Sequence, residues 1–242
     1  MNETADFLFE QLSRARRRLR VAVITETYPP HVDRVALTAA RFVEGLRARG
    51  HEIQLVRPRQ DWGDSAAVGE RLLEVLTRGL PVPNHPDFRL GLPAKRALAR
   101  LWGRSRPDVV HVLTEGPLGW SALSAARQLK LPVVSDFRTG FYSRHHGSGW
   151  LGKPVLAYLR KFHNRALWTL VPTETLCAEL TRLGFRHLRV VAREGDTTPC
   201  DPARDPVIRQ LETLLKVAAG VAPASYGTSG DGRTRTPMPQ ST

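Results

Sequence analysis

The stretch Arg20-Val21-Ala22-Val23-Ile24-Thr25-Glu26-Thr27-Tyr28-Pro29-Pro30 comes directly before a helical pattern over residues 35–49. A short apolar strand, a Pro-containing turn and an amphipathic helix form the opening unit of a doubly wound α/β sheet. In such sheets ligands bind outside the carboxyl ends of the strands. The turn at residues 25–34 therefore lies where a binding site is expected.

The same alternation of strand and helix continues along the chain. Short runs rich in Val, Leu and Ile predict buried parallel strands at residues 20–25, 52–57, 108–113, 131–135, 167–171 and 188–192. Helical patterns lie at 35–49, 93–104, 117–130, 151–166 and 173–183. Strands that alternate with helices require crossover connections, so the sequence predicts an α/β fold, a Rossmann-like doubly wound parallel sheet with helices on both faces.

Composition divides the chain into four parts. Residues 1–19 form a basic N-terminal arm, and residues 20–195 form the Rossmann-like domain. Within that domain, residues 58–92 contain several prolines and are interpreted as an insertion with a short extra hairpin. Residues 196–217 are interpreted as a linker and a helix. Residues 218–242 are rich in Gly, Pro, Ser and Thr and predict a disordered tail.

The charge of the chain favours anionic partners. Its 242 residues carry a formal net charge of +13, which suits nucleotide phosphates, anionic lipid headgroups or nucleic acid. No nucleic-acid recognition motif accompanies the charge, so nucleic acid is the weakest of the three. The two cysteines, Cys177 and Cys200, form no CxxC pair, which disfavours a cysteine zinc site. Because no segment resembles a membrane span or a signal peptide, a cytoplasmic location is expected.

One predicted helix carries a row of basic residues. Within residues 94–104 the spacing of four to five residues places these side chains along one side: Lys95, Arg96, Arg100 and Arg104. Such a stripe can contact anionic lipid, which predicts peripheral binding at the inner face of the membrane. A solvated helix face is the alternative interpretation.

Three turns at strand ends are candidates for phosphate binding: residues 25–34, residues 114–119 and residues 136–141. The N-terminus of a helix that follows such a turn presents free N–H groups and a favourable dipole to an anion. In the second turn Gly116 permits a tight bend, and Pro117 can start a helix. Because parallel strands place their carboxyl ends at one edge, the three turns are expected to converge on one cleft.

Motifs in these turns and elsewhere resemble the acceptor-side half of the family-4 retaining glycosyltransferases of the GT-B type. They include Glu26-Thr27-Tyr28-Pro29-Pro30, Pro107-Asp108-Val109-Val110-His111, Thr114-Glu115-Gly116-Pro117-Leu118-Gly119 and Phe162-His163-Asn164-Arg165. The resemblance covers about residues 20–205, and the branch that looks most similar is that of the bacterial mannosyltransferases. It implies transfer of a hexose, such as mannose from GDP-mannose, to a lipid or sugar acceptor, without a metal or other cofactor.

The resemblance also implies which residues face the substrates. Asp136 and Arg138 take the catalytic positions. The substrate and donor positions are Tyr28, Arg34, Glu115, Gly116 and Thr139. Under this assignment Arg34 or Arg138 holds phosphate, and Glu115 and Asp136 hold hydroxyl groups of the acceptor.

The chain departs from the family pattern in the first and third of these turns and again at Arg193-Glu194-Gly195-Asp196, where the family has an Arg-Gly-Val-Asp run. Asp33-Arg34 replaces a small pair that ends in Gly, and Arg138 replaces a His that lies beside the reacting sugar. Arginine keeps its charge and cannot exchange a proton as imidazole does. The constellation of the donor-binding half, an Arg and Lys pair with two glutamates seven residues apart, is also missing from this sequence.

Two expectations follow from these departures. The first is a truncated or frameshifted N-terminal half that is inactive alone, with a separate C-terminal donor-binding half as a possible partner. The second is a non-catalytic domain that binds an acceptor lipid or a partner.

Overall fold

The computed structural model describes residues 17–30, 33–61, 63–82, 85–137, 149–191 and 202–221. Its strands are β1 (Arg20–Ile24), β2 (Glu52–Pro58), β3 (Val68–Gly69), β4 (Leu72–Thr77), β5 (Gly79–Val82), β6 (His85–Gly91), β7 (Val109–Val112), β8 (Val133–Asp136), β9 (Trp168–Val171) and β10 (Leu188–Val190). Its α-helices are α1 (Arg34–Ala48), α2 (Lys95–Arg104), α3 (Pro117–Gln128), α4 (Gly149–His163), α5 (Glu174–Arg182) and α6 (Pro206–Ala218).

The central strand is the one that the opening sequence predicts. Within the described residues eight strands form one sheet in the order β10-β9-β8-β7-β1-β2-β4-β3. β1 pairs in parallel with β2 on one side and with β7 on the other, so that Val21 lies opposite both Ile53 and Val109. Four β1 residues, from Val21 to Ile24, are buried because helices cover both faces of the sheet. This confirms the Rossmann-like α/β class and the six predicted strands.

Residues 58–92 contain the predicted short hairpin, and they also add two strands to the main sheet that the sequence does not predict. β4 continues the main sheet in parallel beside β2, and the two-residue β3 pairs antiparallel with β4 at the edge. The antiparallel hairpin is β5 with β6, in a separate two-stranded sheet. The prolines of this region made it look irregular. They fall on strand ends and on the small hairpin, where a missing N–H costs little.

α1 begins and ends with residues that suit those positions. The side chain of Asp33 caps its N-terminus by accepting a hydrogen bond from the N–H of Ala36 at 2.6 Å. After its last turn, Gly50 has φ +88°, a left-handed conformation that glycine adopts without steric cost. Between these ends Phe42, Leu46 and four smaller residues are buried, so one face of α1 lies against the sheet.

α6 packs beside α1 and against β8, and it belongs to the same core. Val207, Ile208, Leu211 and Leu215 are buried in the cluster that also holds Phe42 and Leu46 of α1. The helix lies within the predicted linker segment of residues 196–217, but its apolar face is part of the domain. Leu19, at the end of the predicted arm, is buried in the same cluster, whereas residues 1–16 and the predicted tail from residue 222 lie outside the described residues.

Ion pairs and hydrogen bonds join α6 to the strand and helix that it covers. Glu212 contacts Arg49, accepts from Nε2 of His51 at 3.0 Å and pairs with Lys216 at 2.6 Å. The other nitrogen of the His51 ring, Nδ1, accepts from the N–H of Leu19 at 3.0 Å. We call Glu212, Arg49, His51 and Lys216 the Glu212 cluster. Nearby, Arg41 Nε lies 2.5 Å from Asp205 Oδ2.

Candidate functional site

The strand order reverses between β1 and β7, because the chain passes from β1 outward to β2 and later returns to the other side of β1. Ligands of open α/β sheets bind at the carboxyl edge of such a switch point. The turns after the two strands touch each other there, since the N–H of Glu26 donates to Oγ1 of Thr114 at 3.1 Å. The candidate site is therefore the edge formed by the turns that follow β1 and β7, together with the end of β8 at Asp136.

Glu26 is the acid at the centre of this edge, and it is buried. Its Oε2 accepts from the N–H of Gly91 at 2.5 Å, and its Oε1 accepts from the N–H of Leu118 at 3.1 Å. Burial raises the pKa of Glu26 to about 7, although the two backbone hydrogen bonds act in the opposite direction. The carboxyl group thus ties the β1 turn to the small hairpin and to the first turn of α3.

Glycines make room for this carboxyl group. A Cβ atom at Gly116 would overlap Oε1 of Glu26, and one at Gly91 would lie 2.7 Å from Oε2. The N-terminus of α3 is therefore already occupied by a carboxyl group of the chain itself, which accepts from a backbone N–H that would otherwise have no partner within the helix. A phosphate could reach this helix end only by displacing Glu26.

The N-terminus of α1 is closed in the same way. Besides its bond with Ala36, Oδ1 of Asp33 accepts from the hydroxyl of Thr27 at 3.3 Å. Arg34 follows directly and is exposed. Its guanidinium remains available to an anion at the mouth of the cleft, while the N–H of Ala36 is used by the cap.

Glu115 follows β7 and is held from two sides by α4. Its Oε1 lies 3.3 Å from Nε2 of His163, whose side chain is fully buried, and its backbone carbonyl accepts from the hydroxyl of Tyr158. The Glu115 side chain is 10% exposed, so most of it is enclosed by this network. Of the two acids for which the sequence predicts acceptor binding, Glu115 is partly exposed and Asp136 is buried.

The comparison with known sequences decides the family. The sequence profile of glycosyltransferase family 4 matches residues 35–193, well over half of the chain. The chain belongs to glycosyltransferase family 4. A GDP-mannose-dependent alpha-mannosyltransferase of Mycolicibacterium smegmatis is 32% identical over 199 residues, which cover 79% of this chain and 52% of that protein. The chain spans about half the length of the family-4 mannosyltransferases that it matches.

More distant relatives support the same family and fold. The sulfoquinovosyl transferase SQD2 of Arabidopsis thaliana is 27% identical over 217 residues, covering 87% of this chain and 41% of that protein. Among solved structures, a sucrose-phosphate synthase chain of Thermosynechococcus elongatus superposes with a TM-score of 0.59 at 13% identity, covering 82% of this chain and 98% of that one. The chain thus has the Rossmann-like fold of one of the two domains of a GT-B glycosyltransferase, as the sequence predicts.

The structure brings some of the predicted site residues of this family-4 domain together and separates others. Glu115 and Gly116 lie at the switch point, and Arg34 lies across it on α1. Tyr28 is half-buried beside the core, and its pKa is raised to about 12 by burial and by the charges of Glu44 and Glu74. Asp136 is 1% exposed at the end of β8, which leaves little of it for a substrate in this conformation.

Arg138 and Thr139, which complete the predicted catalytic turn, lie outside the described residues. Their assignment to catalysis and donor binding therefore stays a prediction. The four basic residues of α2 are all exposed, while Leu98 and Trp102 on its other side are buried. The predicted basic stripe therefore exists as a surface.

Three polar residues of the site are not among the predicted site residues. Glu26 and His163 both fall within family-like motifs, and Asp33 is the residue where the motif is broken. The signal for Glu26 is a lone acid placed directly after the central strand of a doubly wound sheet. For His163 the signal is a polar residue near the end of a helix, with Leu159 four residues before it and Phe162 directly before it. Neither pattern alone names the partner that makes the residue important.

Proposed function

We propose that this chain is the acceptor-binding half of a hexosyltransferase, most simply a mannosyltransferase that uses a GDP-mannose donor and a lipid or sugar acceptor. In support of this, three relatives of the chain carry the name GDP-mannose-dependent alpha-mannosyltransferase. The observation that carries the proposal is the carboxyl group of Glu115 at the switch point, fixed by α4 and partly exposed.

In this proposal each side chain at the edge has a defined task. Glu115 accepts hydrogen bonds from hydroxyl groups of the acceptor, as carboxylates do for sugars. Arg34, on the opposite side, pairs with a phosphate of the donor or of a lipid headgroup. The reacting sugar then lies between the two turns, with the donor nucleotide held by a second, donor-binding half.

We further propose that the described half does not turn over a donor by itself. Asp33 and Glu26 occupy the helix N-termini of α1 and α3 with their carboxyl groups, so the N–H groups of Ala36 and Leu118 are already used and are not open to a donor phosphate. This arrangement also supports the second candidate, a non-catalytic domain that binds an acceptor lipid or a partner subunit. Both candidates share the acceptor site at Glu115.

A donor titration separates the two candidates from an active transferase. A ligand at one hundred times its Kd stabilises a protein by about 2.7 kcal/mol, which raises the Tm by several degrees. We expect GDP-mannose, GDP-glucose and UDP-glucose each to leave the Tm of the chain unchanged, and radiolabelled mannose to stay on the nucleotide. A selective rise with GDP-mannose, or label in a lipid extract, would contradict the inactive half.

The basic residues of α2 support a second surface for this function. Within the described residues, none of the helices is long and apolar enough to cross a membrane. Contact with a lipid acceptor in this proposal is therefore peripheral. It is made by the exposed cations Lys95, Arg96, Arg100 and Arg104, each of which adds about 1 kcal/mol near an anionic surface.

Liposome flotation tests this surface. The vesicles contain about 30% phosphatidylglycerol, which gives a strongly negative surface. A variant in which all four cations of α2 are changed to Gln is expected to lose most of its binding to these vesicles: Lys95, Arg96, Arg100 and Arg104. The matched control changes four exposed cations on other elements, Lys161, Arg182, Arg186 and Arg209, to Gln and should keep the binding. Equal binding by wild type to neutral vesicles would refute an electrostatic contact.

A further inference from the structure

A chain of polar side chains runs from the sheet interior to Glu115. Ser135 on β8 and Thr169 on β9 lie opposite each other in the parallel register, and their hydroxyl oxygens are 3.0 Å apart. Oγ of Ser135 lies 2.9 Å from Nδ1 of His163, and Nε2 of His163 lies 3.3 Å from Oε1 of Glu115. Four residues, from two strands, one helix and one turn, are thus connected by hydrogen bonds in one line.

The line is buried, and aromatic rings surround its central member. Ser135, His163 and Thr169 are each 0% exposed. The rings of Phe137, Phe162 and Phe185 lie 5.1, 5.2 and 6.0 Å from the imidazole of His163, measured between centroids. Packing on these rings fixes the plane of the imidazole, so its two nitrogens can point only along the line.

The chemistry of the groups sets the direction of the hydrogen bonds. An ionised carboxylate accepts and never donates, so Glu115 requires a hydrogen on Nε2 of His163. The Nδ1 atom of a neutral imidazole then accepts, and Ser135 is the donor to it. The Ser135 oxygen in turn accepts from Thr169. Every member of the line is satisfied with a neutral His163 in the Nε2–H form.

We propose that His163 is the positioning residue of Glu115: the Thr169–Ser135–His163 line fixes the tautomer of His163, whose Nε2–H holds the Glu115 carboxylate in the orientation that binds a sugar hydroxyl. Tyr158, 37% exposed and bonded to the backbone of Glu115, fixes the turn from the outside. His163 itself touches no substrate, because its side chain is fully buried. The inference rests on the proposed acceptor site.

The first readout is independent of any ligand. In the full chain labelled with ¹⁵N-histidine, we expect His163 to give the spectrum of the Nε2–H tautomer. Ser135→Ala should shift that spectrum toward a mixture of tautomers while the protein stays folded. A dominant Nδ1–H tautomer in the wild type would overturn the proposal, because the ring would then present a lone pair to Glu115.

The second readout is binding of octyl α-mannoside below its critical micelle concentration, followed by saturation-transfer NMR. Glu115→Gln and His163→Phe should each weaken the Kd about tenfold, the size of one hydrogen bond to a charged group. Because His163 acts through Glu115, the double variant should be no weaker than the single ones. His163→Gln keeps an N–H donor near the carboxylate and should recover most of the affinity.

Together the two readouts test the positioning role of His163 separately from the sugar-acceptor function of Glu115. Additive losses in the double variant, or wild-type affinity in folded His163→Phe, would overturn the positioning role. If His163→Phe fails to fold, Ser135→Ala replaces it, with an expected loss of about threefold. A wild type with the expected tautomer but no affinity for the mannoside would refute the sugar-acceptor function and leave the line of hydrogen bonds intact.

Discussion

Gly116→Ala is expected to destabilise the protein by about 2–4 kcal/mol. The backbone of Gly116 is at φ −70°, which any residue adopts, so the effect is purely steric. The new Cβ overlaps the Glu26 carboxyl group, which backbone N–H groups of Gly91 and Leu118 hold in place. Moving that carboxyl group leaves buried donors without a partner. Urea denaturation monitored by circular dichroism measures the loss.

Gly103→Ala is the matched control for this substitution. Gly103 lies inside α2, and a Cβ there meets nothing within 4 Å. Alanine has the higher helix propensity, so this variant should be more stable than wild type by about 0.5–1 kcal/mol. Equal stability of Gly116→Ala and wild type would show that Glu26 is not anchored as described.

Glu212→Gln is expected to cost about 3 kcal/mol at pH 7, because it removes the one negative charge that the cations of the Glu212 cluster share. Burial by itself raises the pKa of Glu212, but hydrogen bonds from His51, Lys216 and Arg49 outweigh this and lower the pKa to about 2. The folded-state pKa lies below the ordinary value of 4.5. The stabilisation is therefore fully present above pH 4.5.

As the pH falls from 4.5 toward 2, the carboxylate binds a proton in the unfolded chain before it does so in the folded one. The wild type should lose about 2–3 kcal/mol across that window because of this residue. The difference in urea midpoint between wild type and Glu212→Gln should shrink accordingly. Glu70→Gln, at a side chain that is 82% exposed, is the control and should follow wild type at every pH. A constant difference between wild type and Glu212→Gln would contradict the cluster.

The parts of the fold that follow from local pattern were predictable. Val109–Val112 and Val133–Asp136 are short apolar runs that follow helices. Because such runs are too short for helices and are buried on both faces, they are predicted to be parallel strands. Gly50 and Gly184 end helices with positive φ, as their position after an amphipathic run indicates. The order of elements then sets the edge at which a site must lie.

The side-chain partners at that edge were not predictable, for a physical reason. Glu26 finds its donors 65 and 92 residues further along the chain, and no local spacing encodes such a pairing. Glu115 and His163 are separated by 48 residues, and only the register of β8 beside β9 brings Ser135 into line with them. Periodicity reports which face of an element is buried, not what it meets there.

The packing of α6 on α1 has a consequence for how the chain is made. The bonds Arg41–Asp205, Arg49–Glu212 and His51–Glu212 span 164, 163 and 161 residues. During synthesis α1 emerges early, and the apolar residues of α1 and the sheet that contact α6 stay uncovered until α6 has left the ribosome. Helices exposed for that long are prone to aggregate or to bind chaperones. Ribosome-bound nascent chains should therefore gain protease resistance in one late step, when α6 emerges.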